Sequence, residues 1–162
     1  MKDVERNFDY VECERLSPEL REEMEKALKY IDDKFGIKIY DGNLSAIKCE
    51  GTEDIKLSQY GGNYKSEEKE VIIYLTYYGW YVDEKTKETV KKFGGFTKAF
   101  MYWMGQFLYD VKDRFPKVEN MYNGIMKSIE KNYSSTGNEY GRREIFVRFF
   151  AESYIGNLDR KI

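Results

Sequence analysis

The stretch Phe96–Asp110, FTKAFMYWMGQFLYD, decides the fold. Phe100, Trp103, Met104, Phe107, Val111 and Phe115 recur at three- and four-residue steps, which predicts an amphipathic helix from Phe96 to about Phe115, stopped by Pro116. Gly105 stands in its middle, where glycine costs about 1 kcal/mol relative to alanine, so helix propensity does not explain it. Tyr102 and Gln106 lie four residues apart and share a neighbouring face, one turn from each other. Two histidines at that spacing bind zinc in many peptidases, and the residue after the first acts as base. Here the chemistry is missing. Tyr102 is a phenol with a pKa near 10, Gln106 offers a neutral oxygen, and Trp103 has no proton to take or give in place of a glutamate. Taken alone, this is an aromatic core helix with an unexplained glycine.

Composition narrows the chemistry further. The chain has 162 residues, enough for one domain with a real core, and 41% are hydrophobic, including 10 Phe, 15 Tyr and 2 Trp. No apolar run approaches the roughly 18 residues of a membrane span. The first 20 residues, MKDVERNFDYVECERLSPEL, lack the apolar segment of a signal peptide, so the expected location is cytoplasmic, with a secreted toxin component as the alternative. There is no histidine, which removes His-based acid–base catalysis, Ser-His and Cys-His nucleophile pairs and the usual catalytic zinc sites. Cys13 and Cys49 are the only cysteines; in a cytoplasmic chain two idle thiols are the commoner reading, with a disulfide as the other. Residues 1–70 carry 18 acidic and 12 basic side chains, and residues 71–162 carry 11 and 15. Neither half has the dense single-sign field of a nucleic-acid binder, so no nucleic-acid partner is expected.

Around the central helix the chain reads as α+β. Residues 1–16 form a charged arm, and 17–162 a single domain. Ser17-Pro18-Glu19 opens a helix with a capping hydroxyl, a proline in the first turn and an early acid. Leu20, Met24, Ala27, Leu28, Ile31 and Phe35 continue it at helical spacing, and Gly36 ends it. IKIYDGNLSAIKC, Ile37 to Cys49, predicts two short β runs about an Asp41-Gly42-Asn43 turn. A polar loop leads to Gly61-Gly62, and VIIYLTYY, Val71 to Tyr78, is the strongest strand. DEKTKETVKKF, from Asp83, predicts a short polar helix closed by Gly94-Gly95. After the central helix come helices over Val118 to about Asn132 and Arg142 to about Ile155, separated by YSSTGNEYG. The expected product is a small mixed sheet with several helices.

The last helix changes the reading of the first. RREIFVRFFAESYIGN, Arg142 to Asn157, carries Glu144 at 38 residues beyond Gln106, followed by Phe150-Ala151-Glu152. Together the two segments resemble the zinc-peptidase (zincin) family of anthrax lethal factor and the clostridial Pro-Pro endopeptidases. In that family a His-Glu-x-Gly-His helix supplies two ligands and the base, and a later Glu-Phe-Phe-Ala-Glu-x-Phe helix supplies the third ligand. The resemblance puts the first histidine at Tyr102, the base at Trp103, the glycine at Gly105, the second histidine at Gln106 and the ligand glutamate at Glu144. A tyrosine that precedes the glutamate falls on Tyr133 or Tyr140. The pattern is closer to the family's catalytically dead branch, the receptor-binding N-terminal domain of lethal and edema factors, where the histidines are replaced while the helix and its glycine persist. GIKIYDGNLSAI and GGNYKSEEKEVIIYL are similar to strand segments of the family, so the resemblance runs from Ser17 to Asn157. It implies a zincin fold with no metal, no cofactor and no peptidase activity. The residue-level alternative for Glu144 is a carboxylate at a helix N-terminus, paired with Arg142, Arg143 or Arg148.

What remains is a binding surface. YLTYYGWYVDE, Tyr74 to Glu84, crowds Tyr77, Tyr78, Trp80 and Tyr81 at a strand end, and these residue types anchor protein interfaces. With Tyr109 beside the former cleft, they are the expected partner-binding residues. The expected function is therefore a non-catalytic pseudopeptidase that binds another protein, as a toxin-delivery adaptor or as a phage or mobile-element inhibitor of a host factor. Two alternatives stand beside it. One is an enzyme of unrelated chemistry using Glu144, Glu152, Tyr102 and Arg148; the other is a structural subunit of a phage-type assembly.

Overall fold

The computed structural model describes residues 18–39, 43–50, 61–74, 81–83, 88–90, 96–132 and 139–160. Among these the elements follow the order helix, strands, then three helices, an α+β arrangement. Helix α1 (Pro18–Phe35) buries all six residues of its apolar stripe, from Leu20 to Phe35. It ends where expected: Gly36 takes φ +71° and its N–H donates to the Asp32 carbonyl at 2.8 Å. That left-handed turn favours a residue without Cβ.

Strands β1 (Ala46–Glu50), β2 (Gly62–Lys65) and β3 (Glu70–Tyr74) form a mixed sheet in the order β1-β3-β2, with β1 parallel and β2 antiparallel to β3. β3 is the central strand and is buried from Val71 to Tyr74. A strand covered on both faces reads as a continuous apolar run, which is why VIIY stood out. Its residues Val71 and Ile73, with Ile47 and Cys49 of β1, join the core shared with the helices. In the β2–β3 register Gly62 opposes Ile73 and Tyr64 opposes Val71, so Gly62 and Tyr64 point to that same helical side. β2 falls in a segment too polar to announce itself. The Ile37–Ile39 segment forms no strand, although Ile37 and Ile39 are buried. The arm at 1–16, Cys13, the Asp41-Gly42 pair and Leu75–Tyr78 lie outside the described residues.

One prediction is corrected outright. The polar helix expected from Asp83 is instead a hairpin of β4 (Tyr81–Asp83) and β5 (Glu88–Val90), in which Tyr81 opposes Val90 and Val82 opposes Thr89. The segment has no apolar helical stripe to bury, and aromatic and β-branched residues prefer paired extended strands.

Helix α2 (Phe96–Val111) is followed by one tight turn of helix at Lys112–Arg114. Pro116 then opens helix α3 (Pro116–Asn132) at its first position, two residues earlier than predicted. Helix α4 (Glu139–Arg160) extends beyond both expected ends. α2 is buried on nearly every side; of the predicted stripe, Trp103 is only partly so, as is Phe115, which lies beyond the helix end. A run of rings, Phe35–Phe150–Phe146–Tyr109–Tyr122, links α1, α4, α2 and α3 at centroid distances of 5.7–6.4 Å. Aromatic pairs at such separations add to the burial of their area. No helix among the described residues is long and apolar enough to cross a membrane.

Candidate functional site

Four residues on α2 repeat every fourth position: Lys98, Tyr102, Gln106 and Asp110. They form one row along the helix, and α4 runs antiparallel beside it with a partner for each. Lys98 pairs with Glu152. The Tyr102 hydroxyl donates to Glu144 Oε2 at 2.8 Å, and Arg148 Nε donates to Glu144 Oε1 at 2.8 Å. Arg143 Nη1 donates to Gln106 Oε1 at 3.0 Å and to the Gln106 backbone carbonyl at 3.2 Å. Its Nη2 donates to Asp110, and the guanidinium carbon lies 4.5 Å from the centre of the Tyr109 ring.

Gly105 explains how the two helices come so close. A Cβ at that position would sit 3.1 Å from Phe150 Cδ2 and 3.3 Å from Val147 Cβ. A small residue is thus favoured here by the approach of α4 rather than by the conformation of α2. With the backs of the helices in contact, side chains from their flanks meet across the seam.

The structure therefore brings together three of the positions singled out in the sequence, Tyr102, Gln106 and Glu144. Gln106 is the single buried polar residue among the described residues, at 9% exposure. A buried amide is tolerated when it is hydrogen-bonded, and Arg143 supplies that bond. Both oxygens of Glu144 are engaged, one by a phenol and one by a guanidinium, contacts strengthened by the carboxylate's charge. Of the three arginines considered for Glu144, the structure gives it Arg148.

Trp103, at the position the resemblance gives to the base, packs edge to face on Tyr102 at 5.0 Å. Its pyrrole edge rests on Gly62 of β2: a Cβ there would lie 2.5 Å from Trp103 Nε1. Among the described residues the buried indole nitrogen has no hydrogen-bond partner. Such an orphan donor costs roughly 1–3 kcal/mol, which the packing of a large ring offsets. Tyr64, on the same face of β2, sets its ring against Phe107 at 6.2 Å. Its hydroxyl pKa is pushed up to about 12, first by burial and then by the adjacent Asp110 carboxylate, with Arg143 acting in the opposite direction. Tyr64 is thus held as a neutral phenol.

This set of donors does not fit a catalytic zinc ion. Such a site takes three protein ligands, normally imidazole, thiolate or carboxylate. Here the row offers a phenol, an amide oxygen and one carboxylate, each already bound to a neighbour. Among the described residues no group of three Cys, Asp or Glu side chains converges as metal ligands.

The expected partner-binding residues are distributed differently. Tyr77, Tyr78 and Trp80 lie outside the described residues, and Tyr81 begins β4. Tyr109 is corrected: at 2% exposure it is a core residue, packed against Tyr122 and Phe146 beneath the cations of Lys112 and Arg143. An aromatic ring on the seam between three helices is worth more buried than exposed. Asp110 and Tyr64 were missed as members of the site, and Arg143, considered only as a partner for Glu144, bonds Gln106 and Asp110 instead. The four-residue row ending at Asp110 was the available signal for Asp110.

No family model, curated protein or solved structure matches this chain.

Proposed function

We propose that this protein is a non-catalytic domain of the lethal-factor-like zincin type, a pseudopeptidase that acts by binding another protein. The observation that carries the proposal is the meeting of Tyr102, Gln106 and Glu144 across the α2–α4 seam, all tied into hydrogen bonds. In the zincin reading these positions would hold the ion. Their side chains here supply neither ligands nor a base, and a chain with no histidine has no imidazole to bring to the site. The glycine that the family carries in its helix has a reason in this chain as well, since α4 rests on Gly105.

With hydrolysis set aside, the function falls to surface recognition. The partner is a protein, engaged through the aromatic segment around Tyr77, Tyr78, Trp80 and Tyr81, in toxin-type delivery or in inhibition of a host factor. The test is affinity capture from the native host, comparing wild type with Tyr78→Ala/Trp80→Ala. Wild type should retain one stoichiometric partner uncleaved, and the double variant should lose it. Identical captures would remove the proposed surface. Chelator-sensitive cleavage of a captured protein, abolished by Glu144→Ala, would overturn the pseudopeptidase reading.

A further inference from the structure

We infer that Arg143 takes over the cross-linking job of a metal ion in this fold, tying α2 to α4 with an organic cation. The inference rests on the pseudopeptidase reading and concerns what replaced the ion. In a zincin the ion joins the two helices by drawing ligands from both. Here the positive charge belongs to α4 itself and reaches across to three residues of α2. It meets the Gln106 side chain and backbone carbonyl, the Asp110 carboxylate and the face of Tyr109.

Guanidinium suits this role better than ammonium. It presents five N–H donors in a rigid plane, and that plane also stacks on an aromatic ring. Arg143 uses both properties, with donors on Gln106 and Asp110 and its flat face on Tyr109. The acceptors on α2 match as well. A neutral histidine at 106 would offer one unprotonated ring nitrogen, whereas glutamine offers an amide oxygen, which Arg143 Nη1 takes together with the backbone carbonyl of the same residue. Arg143 and Asp110 are each about a quarter exposed, so solvent screens the pair only in part. Arg148 on Glu144 adds no tie between the helices, since both lie on α4 four residues apart and the Arg148 side chain is 71% exposed.

The test is thermal unfolding of the full chain. Arg143→Ala should lower the melting temperature by about 5–10 °C, because it strands a carboxylate and a buried amide together. Arg143→Lys keeps the charge but loses the fork and the stacking, and should recover less than half of that loss. This variant also decides the matter if Arg143→Ala does not fold. The same Arg143→Ala change is then made in a Tyr102→His/Gln106→His background with one equivalent of zinc. There it should cost less than about 2 °C, since the ion resumes the cross-link. Parent-like stability of Arg143→Ala or Arg143→Lys in the native background would overturn the inference. So would an undiminished cost in the zinc-bound background. A folded histidine background that takes up no zinc would instead overturn the pseudopeptidase reading itself.

Discussion

Gly105→Val is expected to destabilise the protein by about 3 kcal/mol or more, lowering its melting temperature by roughly 6–12 °C. Even the first added carbon would lie 3.1 Å from Phe150 and 3.3 Å from Val147, and two further methyl groups have no room between the helices. Phe150 and Val147 are themselves fully buried and cannot swing aside without disturbing the ring stack toward Phe35 and Phe146. Helix propensity works the other way, favouring valine over glycine by only a few tenths of a kcal/mol. Overpacking therefore wins. Gly105→Ala is the instructive comparison: its propensity gain of about 1 kcal/mol nearly offsets a tight contact, so a change within about 1 kcal/mol is expected. Urea unfolding of the three proteins measures the series. A valine variant as stable as the parent would mean that α4 does not rest on Gly105.

Gly62→Ala should cost about 2–4 kcal/mol for a different reason. Its Cβ would fall 2.5 Å from Trp103 Nε1 and 2.6 Å from the Ile72 carbonyl oxygen, the latter being backbone of the neighbouring strand. The indole has to leave β2, which exposes the ring and changes its near-ultraviolet circular dichroism. Trp103→Phe removes the clashing nitrogen and the orphan donor at once, so the two substitutions should couple. In a double-mutant cycle Gly62→Ala is expected to cost about 1–2 kcal/mol less when phenylalanine occupies 103. The contact with Ile72 remains, so the rescue is partial. Additive costs would show that Trp103 and Gly62 do not meet.

The sequence carried the helical part of this architecture well, because its signals are periodic. α1 announces itself by a six-residue stripe and a glycine stop, and α2 by a denser one. The strands were less legible. β3 is a continuous apolar run, as a strand buried on both faces must be, but β2 holds Gly62, Asn63, Tyr64 and Lys65 and is extended only because β3 pairs with it. The β4–β5 hairpin was misread since lysine, glutamate and threonine in alternation satisfy a solvated helix and an extended strand equally. At the site, the resemblance singled out Tyr102, Gln106 and Glu144 but did not say what each would bond. Which of three adjacent or near-adjacent arginines reaches which acceptor depends on the rotation of α4 about its axis. Packing on Gly105 sets that rotation, sending Arg143 to Gln106 and Arg148 to Glu144. Tyr109 was placed on the surface because tyrosine favours interfaces, whereas the structure encloses its ring within the helical core.

The most direct test is a zinc titration of the folded Tyr102→His/Gln106→His variant. If positions 102, 106 and 144 keep the geometry of a metal site whose ligands were replaced, two substitutions should restore binding. The variant is predicted to take up one equivalent of zinc where wild type takes none, and to lose it when Glu144→Ala is added. A folded double variant that binds no zinc, or one whose zinc is indifferent to Glu144→Ala, would contradict the degenerate-site origin of the Tyr102–Glu144 pair.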